Sequence, residues 1–294
     1  MKVTWLPDAR PRERHIAVGE FDGVHVGHRE VIDRADTVLT FEPHPRTVVG
    51  PEAAPKLLTS FEIKVDLIAG LGVEELVVIP FDGSFAAQSP QEFIDRVLIE
   101  RLGARKVSVG ENFRFGHRAQ GDPVLLQAQT AFETRVVRLV ELAGAIVSSS
   151  HIRGLINAGA VEEAARLLGE PFQMRGPVVH GDKRGRTLGF PTANLVPDPR
   201  LVVPDHGIYA CRAEIAGQGE WRAAVNVGVR PTFKTGRGLL VEAFLLGHPG
   251  HEFYGAELRL HFLARLRGER RFDSVEELVA QMGRDVKATE RIAG

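Results

Sequence analysis

Ile16-Ala17-Val18-Gly19 is a short apolar run ending in glycine, and Glu20-Phe21-Asp22-Gly23-Val24-His25-Val26-Gly27-His28 follows it directly. Residues 29–35 then read as a helix. A buried strand, a glycine-bearing turn and a helix start make a phosphate site, because the free N–H groups and dipole of a helix N-terminus favour anions. His25 and His28 flank Gly27 at the mouth of that turn. Two imidazoles there can donate hydrogen bonds to a phosphate as charge builds in a transition state.

Outward from this turn the first half alternates strand-like and helix-like segments. Residues 38–41 read as strand, 61–69 as helix and 75–79 as strand. Residues 90–102 read as a helix with Pro90 in its first turn, and 106–110 and 134–139 as strands. Such alternation implies a parallel sheet covered on both faces, with ligands beyond the carboxyl ends of its strands. The motifs fall at those ends. Glu42-Pro43-His44-Pro45 follows one strand, and Gly110-Glu111-Asn112-Phe113-Arg114-Phe115-Gly116 another. Phe113 and Phe115 could stack on a planar ligand or belong to the core. The serines of Val147-Ser148-Ser149-Ser150-His151-Ile152-Arg153 suit the start of a helix, whose free N–H groups they cap.

The character of the chain changes near Gly169-Glu170-Pro171, which sets expected domains at 1–169 and 170–294. Residues 207–216, 221–229, 239–246 and 257–262 read as strands between Gly- and Pro-bearing turns, so this half should be an antiparallel barrel. Its most unusual stretch is Gly185-Arg186-Thr187-Leu188-Gly189-Phe190-Pro191-Thr192-Ala193-Asn194, preceded by Val178-Val179-His180-Gly181-Asp182-Lys183-Arg184. The glycines permit close backbone approach to a ligand. Uncharged oxygens from Thr and Asn suit a Mg²⁺ that already carries phosphates. The chain closes with a helix: Ser274 and Glu277 form a capping box, and Val275, Leu278, Val279, Met282 and Val286 share one face, expected to be core.

Composition bounds the rest. The chain has 294 residues, 44% hydrophobic and 26% charged, which is ordinary for a soluble globular protein of two domains. A net charge of −1 supplies no global field for nucleic acid or membrane, and says nothing of oligomeric state. The single cysteine, Cys211, excludes an internal disulfide and a cysteine-based zinc cluster. No apolar run reaches the length of a membrane span, and residues 1–14 show no secretory h-region. The expected location is cytoplasmic.

Taken together, these strings resemble the bifunctional bacterial riboflavin kinase/FMN adenylyltransferases (FAD synthetases) over nearly the whole chain. Thr40-Phe41-Glu42-Pro43-His44-Pro45, Ala224-Val225-Asn226-Val227-Gly228-Val229-Arg230-Pro231-Thr232-Phe233 and Phe272-Asp273-Ser274-Val275-Glu276-Glu277-Leu278 match as well, in the family's order. The resemblance implies an α/β chain: an N-terminal Rossmann-like nucleotidylyltransferase domain and a C-terminal antiparallel β-barrel riboflavin kinase domain with a terminal helix. It implies that His25 and His28 are catalytic in adenylyl transfer. Phe21, Asp22, Gly23, Gly27, Asn112, Ser149, Ser150 and Arg153 would then hold ATP and flavin there. In the kinase half Glu242 matches the catalytic base. Gly181, Lys183, Gly185, Gly189, Pro191, Thr192 and Asn194 would hold ATP and flavin, with Thr192 and Asn194 on Mg²⁺. Riboflavin, FMN and ATP are the implied partners, with no nucleic acid or membrane.

Four departures stand out. Glu20 replaces the Asn common before Phe-Asp-Gly, Ser150 replaces a Thr, the stretch from His28 to Thr40 is short, and Glu242-Ala243-Phe244 lacks the His of Glu-Val-His. Three other readings compete. One is a class I aminoacyl-tRNA synthetase, which also carries HxGH; it lacks support in the absence of a Lys-Met-Ser-Lys-Ser-like loop. The others are a flavin carrier with decayed catalytic residues and a kinase whose adenylyltransferase half is degenerate.

Overall fold

The structure is a computed structural model that describes residues 1–179, 192–232, 236–248 and 255–293. By packing, the chain forms two compact units, Met1–Pro55 with Phe61–Ser149, and Lys56–Ser60 with Ser150–Gly294.

The first unit is built on strands β1 (Lys2–Trp5), β2 (Arg14–Val18), β3 (Thr37–Glu42), β4 (Glu75–Pro80), β5 (Ala104–Gly110) and β6 (Glu133–Val137). They form one parallel sheet in the order β1-β4-β3-β2-β5-β6. The order reverses beside β2, which has β3 on one side and β5 on the other; a crevice at such a switch point is where α/β sheets bind ligands. Helices α1 (Val26–Ile32), α2 (Pro45–Val49), α3 (Phe61–Ala69), α4 (Gly83–Ala86), α5 (Pro90–Glu92) and α6 (Pro123–Gln127) connect the strands. Alternate residues feed two cores. Ile16 and Val18 pack on the side of Phe93, Ile94, Val97 and Leu98, whereas Ala17 packs with Phe21, Val24 and Ile68 on the side of α1 and α3.

One expectation changes here, and one strand is added. Residues 90–102 are not one α-helix. Ser89 caps α5 through a capping box with Pro90 at the first position, but the chain continues as a π-helix over Phe93–Arg101. The wider turn places Phe93, Ile94, Val97 and Leu98 on the sheet together. The N-terminus, polar in sequence, supplies β1. Its buried residue is Thr4, which donates to Glu75 Oε1 at 2.8 Å, while Val3 and Trp5 stay exposed, so no apolar-inward alternation marks it. A two-residue hairpin, β7 (Glu141–Leu142) with β8 (Ala145–Ile146), ends the unit.

The second unit is a closed antiparallel barrel of six strands: β9 (Phe172–Val179), β10 (Thr192–Leu195), β11 (Gly207–Ile215), β12 (Gly219–Thr232), β13 (Gly236–Leu245) and β14 (Glu257–Arg267), ordered β10-β13-β12-β11-β14-β9. β9 and β10 are additions to the strands read from sequence. Helices α7 (Ser149–Asn157) and α8 (Val161–Leu168) lead into it, and α8 packs on β14 and β9. Arg265 ties this helical pair to the barrel, donating to Ala158 O at 3.1 Å and pairing with Asp205 Oδ2 at 2.6 Å. A strap from earlier in the chain joins the same unit. Leu57 N–H donates to Arg200 O, its carbonyl accepts from Val202 N–H, and Leu58 is buried.

Helix α9 (Val275–Ile292) closes the chain, capped by Ser274, whose side chain accepts from Glu277 N–H at 3.1 Å. The expected apolar face is only half-buried, and Val275 is 56% exposed. The residues that α9 buries are Asp285 and Thr289, because Asp285 receives Arg267 of β14 at 2.7 Å. Among the described residues no helix is long and apolar enough to cross a membrane.

Candidate active sites

In the first unit the turn between β2 and α1 carries the site. Phe21 and Val24 hold left-handed backbone, φ 51° and 42°, a conformation that costs energy for residues with a Cβ and clusters at functional sites. Gly19 is required because a Cβ there would stand 2.9 Å from the Phe21 ring. That ring in turn meets His28 edge-on at 5.4 Å.

His25 caps α1: its Nδ1 accepts the backbone N–H of His28 at 3.2 Å. A neutral His25 therefore carries its proton on Nε2. The two imidazoles stack at 3.5 Å between centroids, 16° from parallel. Burial, then the charges of His25 and Lys64, holds the His28 pKa well below the ordinary histidine value. His28 is thus a neutral ring at neutral pH, and its Nδ1 is buried with no hydrogen-bond partner. The arrangement places a neutral His28 ring against His25 rather than two cations side by side.

Asp22 is buried, and its carbonyl accepts from Ser149 Oγ at 2.9 Å, so the structure brings Ser149 onto the turn. Ser150 and Arg153 lie in the second unit, where Arg153 Nη1 donates to Ser150 Oγ at 3.3 Å. Asn112 is exposed in the turn after β5, on the far side of the switch point from β3. Its neighbour Phe115 is core, packed on Phe93, while the half-buried Phe113 stacks on Phe115 at 5.5 Å.

Glu20, the departure from the family's Asn, has a partner. His44 donates Nε2–H to Glu20 Oε2 at 2.8 Å, and His44 Nδ1 accepts from Arg46 N–H at 3.2 Å. Burial works to raise the Glu20 pKa, but the His44 hydrogen bond and the charges of His44, Lys64 and Arg46 bring it below the ordinary value. Lys64 on α3, 5% exposed, was not marked by the sequence reading. The available signal was a Lys four residues before Ile68, on the apolar face of its helix.

In the barrel, Asn194 of β10 stands opposite Glu242 of β13, and Glu242 stands opposite Asn226 of β12. Direct cross-strand partners share a face of a sheet. Their chain neighbours Ala193, Ala243 and Val225 are fully buried in the barrel interior, so this trio lies on its outer face. Thr192, two residues along β10, shares that face, opposite Phe244. Asn226 is the addition to the residues expected here. The Asn194 side chain is 4% exposed; its Nδ2 donates to Thr192 O at 3.4 Å, and its Oδ1 is buried without a partner. An orphaned amide oxygen beside a threonine and a carboxylate fits a hard cation that also carries phosphates. Gly181, Lys183, Gly185, Gly189 and Pro191 lie outside the described residues.

Comparisons with known proteins give the family. The FAD synthetase family model matches residues 8–151, and the riboflavin kinase model residues 168–293. A bifunctional riboflavin kinase/FMN adenylyltransferase of Bacillus subtilis is 39% identical, with 92% of this chain and 89% of that protein aligned. The protein of the same name from Pseudomonas fluorescens is 36% identical over 99% and 97%. Among solved structures, a Streptococcus pneumoniae protein called a macrolide-efflux protein superposes with a TM-score of 0.88 at 31% identity, over 99% of both chains. The chain belongs to the bifunctional riboflavin kinase/FMN adenylyltransferases: with ATP as co-substrate it phosphorylates riboflavin and adenylylates FMN to FAD.

Proposed function

We propose that His25 and His28 are the catalytic donors of adenylyl transfer and Glu242 the base of riboflavin phosphorylation. In the first reaction an FMN phosphate oxygen bonds to the α-phosphorus of ATP as the bond to the β-phosphate bridge breaks, releasing pyrophosphate. No covalent nucleophile is needed, so positioning and charge stabilisation carry the rate. His25, which caps α1 through Nδ1, and His28 stacked beside it stabilise the reacting phosphate. Phe21, Asp22, Gly23 and Gly27 shape the turn, Ser149 docks on it, and Asn112, Ser150 and Arg153 complete the nucleotide and flavin contacts.

In the second reaction the ribityl 5′-hydroxyl bonds to the γ-phosphorus, the γ–β bridge breaks, and Glu242 takes the hydroxyl proton. Thr192 and Asn194 would hold Mg²⁺, which when bound neutralises phosphate charge. The carrying observation is the Asn194–Glu242 register together with the orphaned Asn194 Oδ1. Gly181, Lys183, Gly185, Gly189 and Pro191 are proposed to close over ATP and flavin. The catalytic division is placed at 169/170, supported by the two family matches, with α7 and α8 as a buttress of the barrel. Action in the cytoplasm accords with a lone, buried cysteine. The test is a Mg²⁺ titration of FMN formation. Asn194→Ala should raise the half-saturating Mg²⁺ by at least about tenfold, the lower bound typical for losing even an outer-shell partner. An unchanged titration would remove Asn194 from the metal site.

A further inference from the structure

Lys64 is a buried cation of the first unit that the mechanism above does not use. Helix α3 buries it beside Ile63 and Ile68, and only 5% of it is exposed. An ammonium is costly to bury without compensation. The unit shows what a structural buried cation does. Arg14, 3% exposed, pairs with Glu75 at 3.0 Å and donates to Leu102 O at 2.6 Å. Lys64 is different. Among the described residues no hydrogen bond or ion pair holds its amine.

The acids that act on it are Asp22, Glu42 and Glu20, from the turn after β2 and the end of β3. Glu20 is already committed to His44. The other orphan is the buried Nδ1 of His28. His28 lies in the first turn of α1, directly after the turn where two phosphates must meet, and the charge of Lys64 on α3 acts on it. His28 is neutral, so its ring supplies a donor but no charge, while FMN phosphate and ATP repel each other as they approach. A preorganised ammonium is the missing element, and desolvation makes its charge count for more.

We infer that Lys64 is a phosphate-binding cation of the adenylyl-transfer site, meeting an anionic oxygen of ATP or of FMN. Burial, the largest effect, lowers the Lys64 pKa, and the three carboxylates act against it in favour of the ammonium. The added carboxylate of Glu20 has a place in that balance. The inference rests on the turn after β2 being the adenylyl-transfer site.

The full chain carries its own folding control, because riboflavin phosphorylation uses other residues. Lys64→Gln and Lys64→Arg are assayed for FMN adenylylation with ATP and FMN varied separately, and inorganic pyrophosphate binding is followed by calorimetry. Lys64→Gln should lose about 10²–10³-fold in kcat/KM for FAD formation, the loss typical of one charge-stabilising group. Lys64→Arg should keep more, and FMN formation should be unchanged. Weaker pyrophosphate binding and a raised KM for ATP mark ATP as the source of the oxygen. A raised KM for FMN with unchanged pyrophosphate binding marks FMN. FAD formation by Lys64→Gln within twofold of the parent overturns the inference. So does its recovery on adding Glu42→Gln, which would show an amine that only balances an acid. His28→Ala run in parallel separates the two levels: full activity there would fail the site itself, not Lys64.

Discussion

His25 accepts the backbone N–H of His28 through Nδ1 at 3.2 Å while their rings stack at 3.5 Å. One contact caps α1, fixes a tautomer and presses two rings together, so protonating His28 is resisted by burial, by His25 and by Lys64.

That has a stability consequence. The folded pKa of His28 lies below its unfolded value of 6.5, so between the two the unfolded chain binds the extra proton. Stability from this residue is complete above about 6.5 and declines as pH falls through the window. Denaturant titrations of the parent and of His28→Gln from pH 7.5 downward should show the steeper loss in the parent. Parallel slopes would mean that His28 is not held neutral.

The α9 helix buries one ion pair with the barrel. Arg267 reaches Asp285 through Nε at 3.1 Å and Nη2 at 2.7 Å, and Gln281 adds a third donor at 2.8 Å. Asp285→Ala leaves a largely buried guanidinium unpaired, which should cost about 3 kcal/mol. Chemical denaturation of the second unit measures it, and a cost under about 0.5 kcal/mol would place the helix's anchor elsewhere.

Fragments test where the barrel's fold begins. Val161, Ala164, Leu167 and Leu168 are buried on α8, and Arg265 links its neighbourhood to Asp205. Each large buried apolar side chain stabilises by about 1.5–3 kcal/mol. A fragment of residues 150–294 should therefore melt cooperatively at a higher temperature than one of 171–294. Both also lack the Leu57 strap, so adding a peptide of residues 55–61 should raise the midpoint of the longer one. Equal midpoints for the two fragments would assign α7 and α8 no part in the barrel.

Much of this was legible in residues whose job is set by local chemistry. Gly19, Gly27 and the two histidines announce a strand, a turn and a helix start, and the fold places them at the carboxyl edge beside the order reversal. What escaped depends on partners distant in sequence. Thr4 is buried because Glu75 receives its hydroxyl, and Asp285 because Arg267 does. Neither has an apolar pattern to betray it. Asn226 became a site residue only when β12 was paired with β13. Lys64 gained meaning only because α3 buries it.

The account's central claim is that one chain runs two reactions from two separate sets of residues. It is tested most directly by separating the flavin products of a single incubation with ATP and Mg²⁺, for the parent, His28→Ala and Glu242→Gln. From riboflavin the parent should give FMN and then FAD. His28→Ala should accumulate FMN with little FAD, its second step slowed about 10²–10³-fold. Glu242→Gln should make neither from riboflavin, yet convert supplied FMN to FAD near the parent rate. FAD at the parent rate from His28→Ala, or FMN at the parent rate from Glu242→Gln, would contradict the assignment.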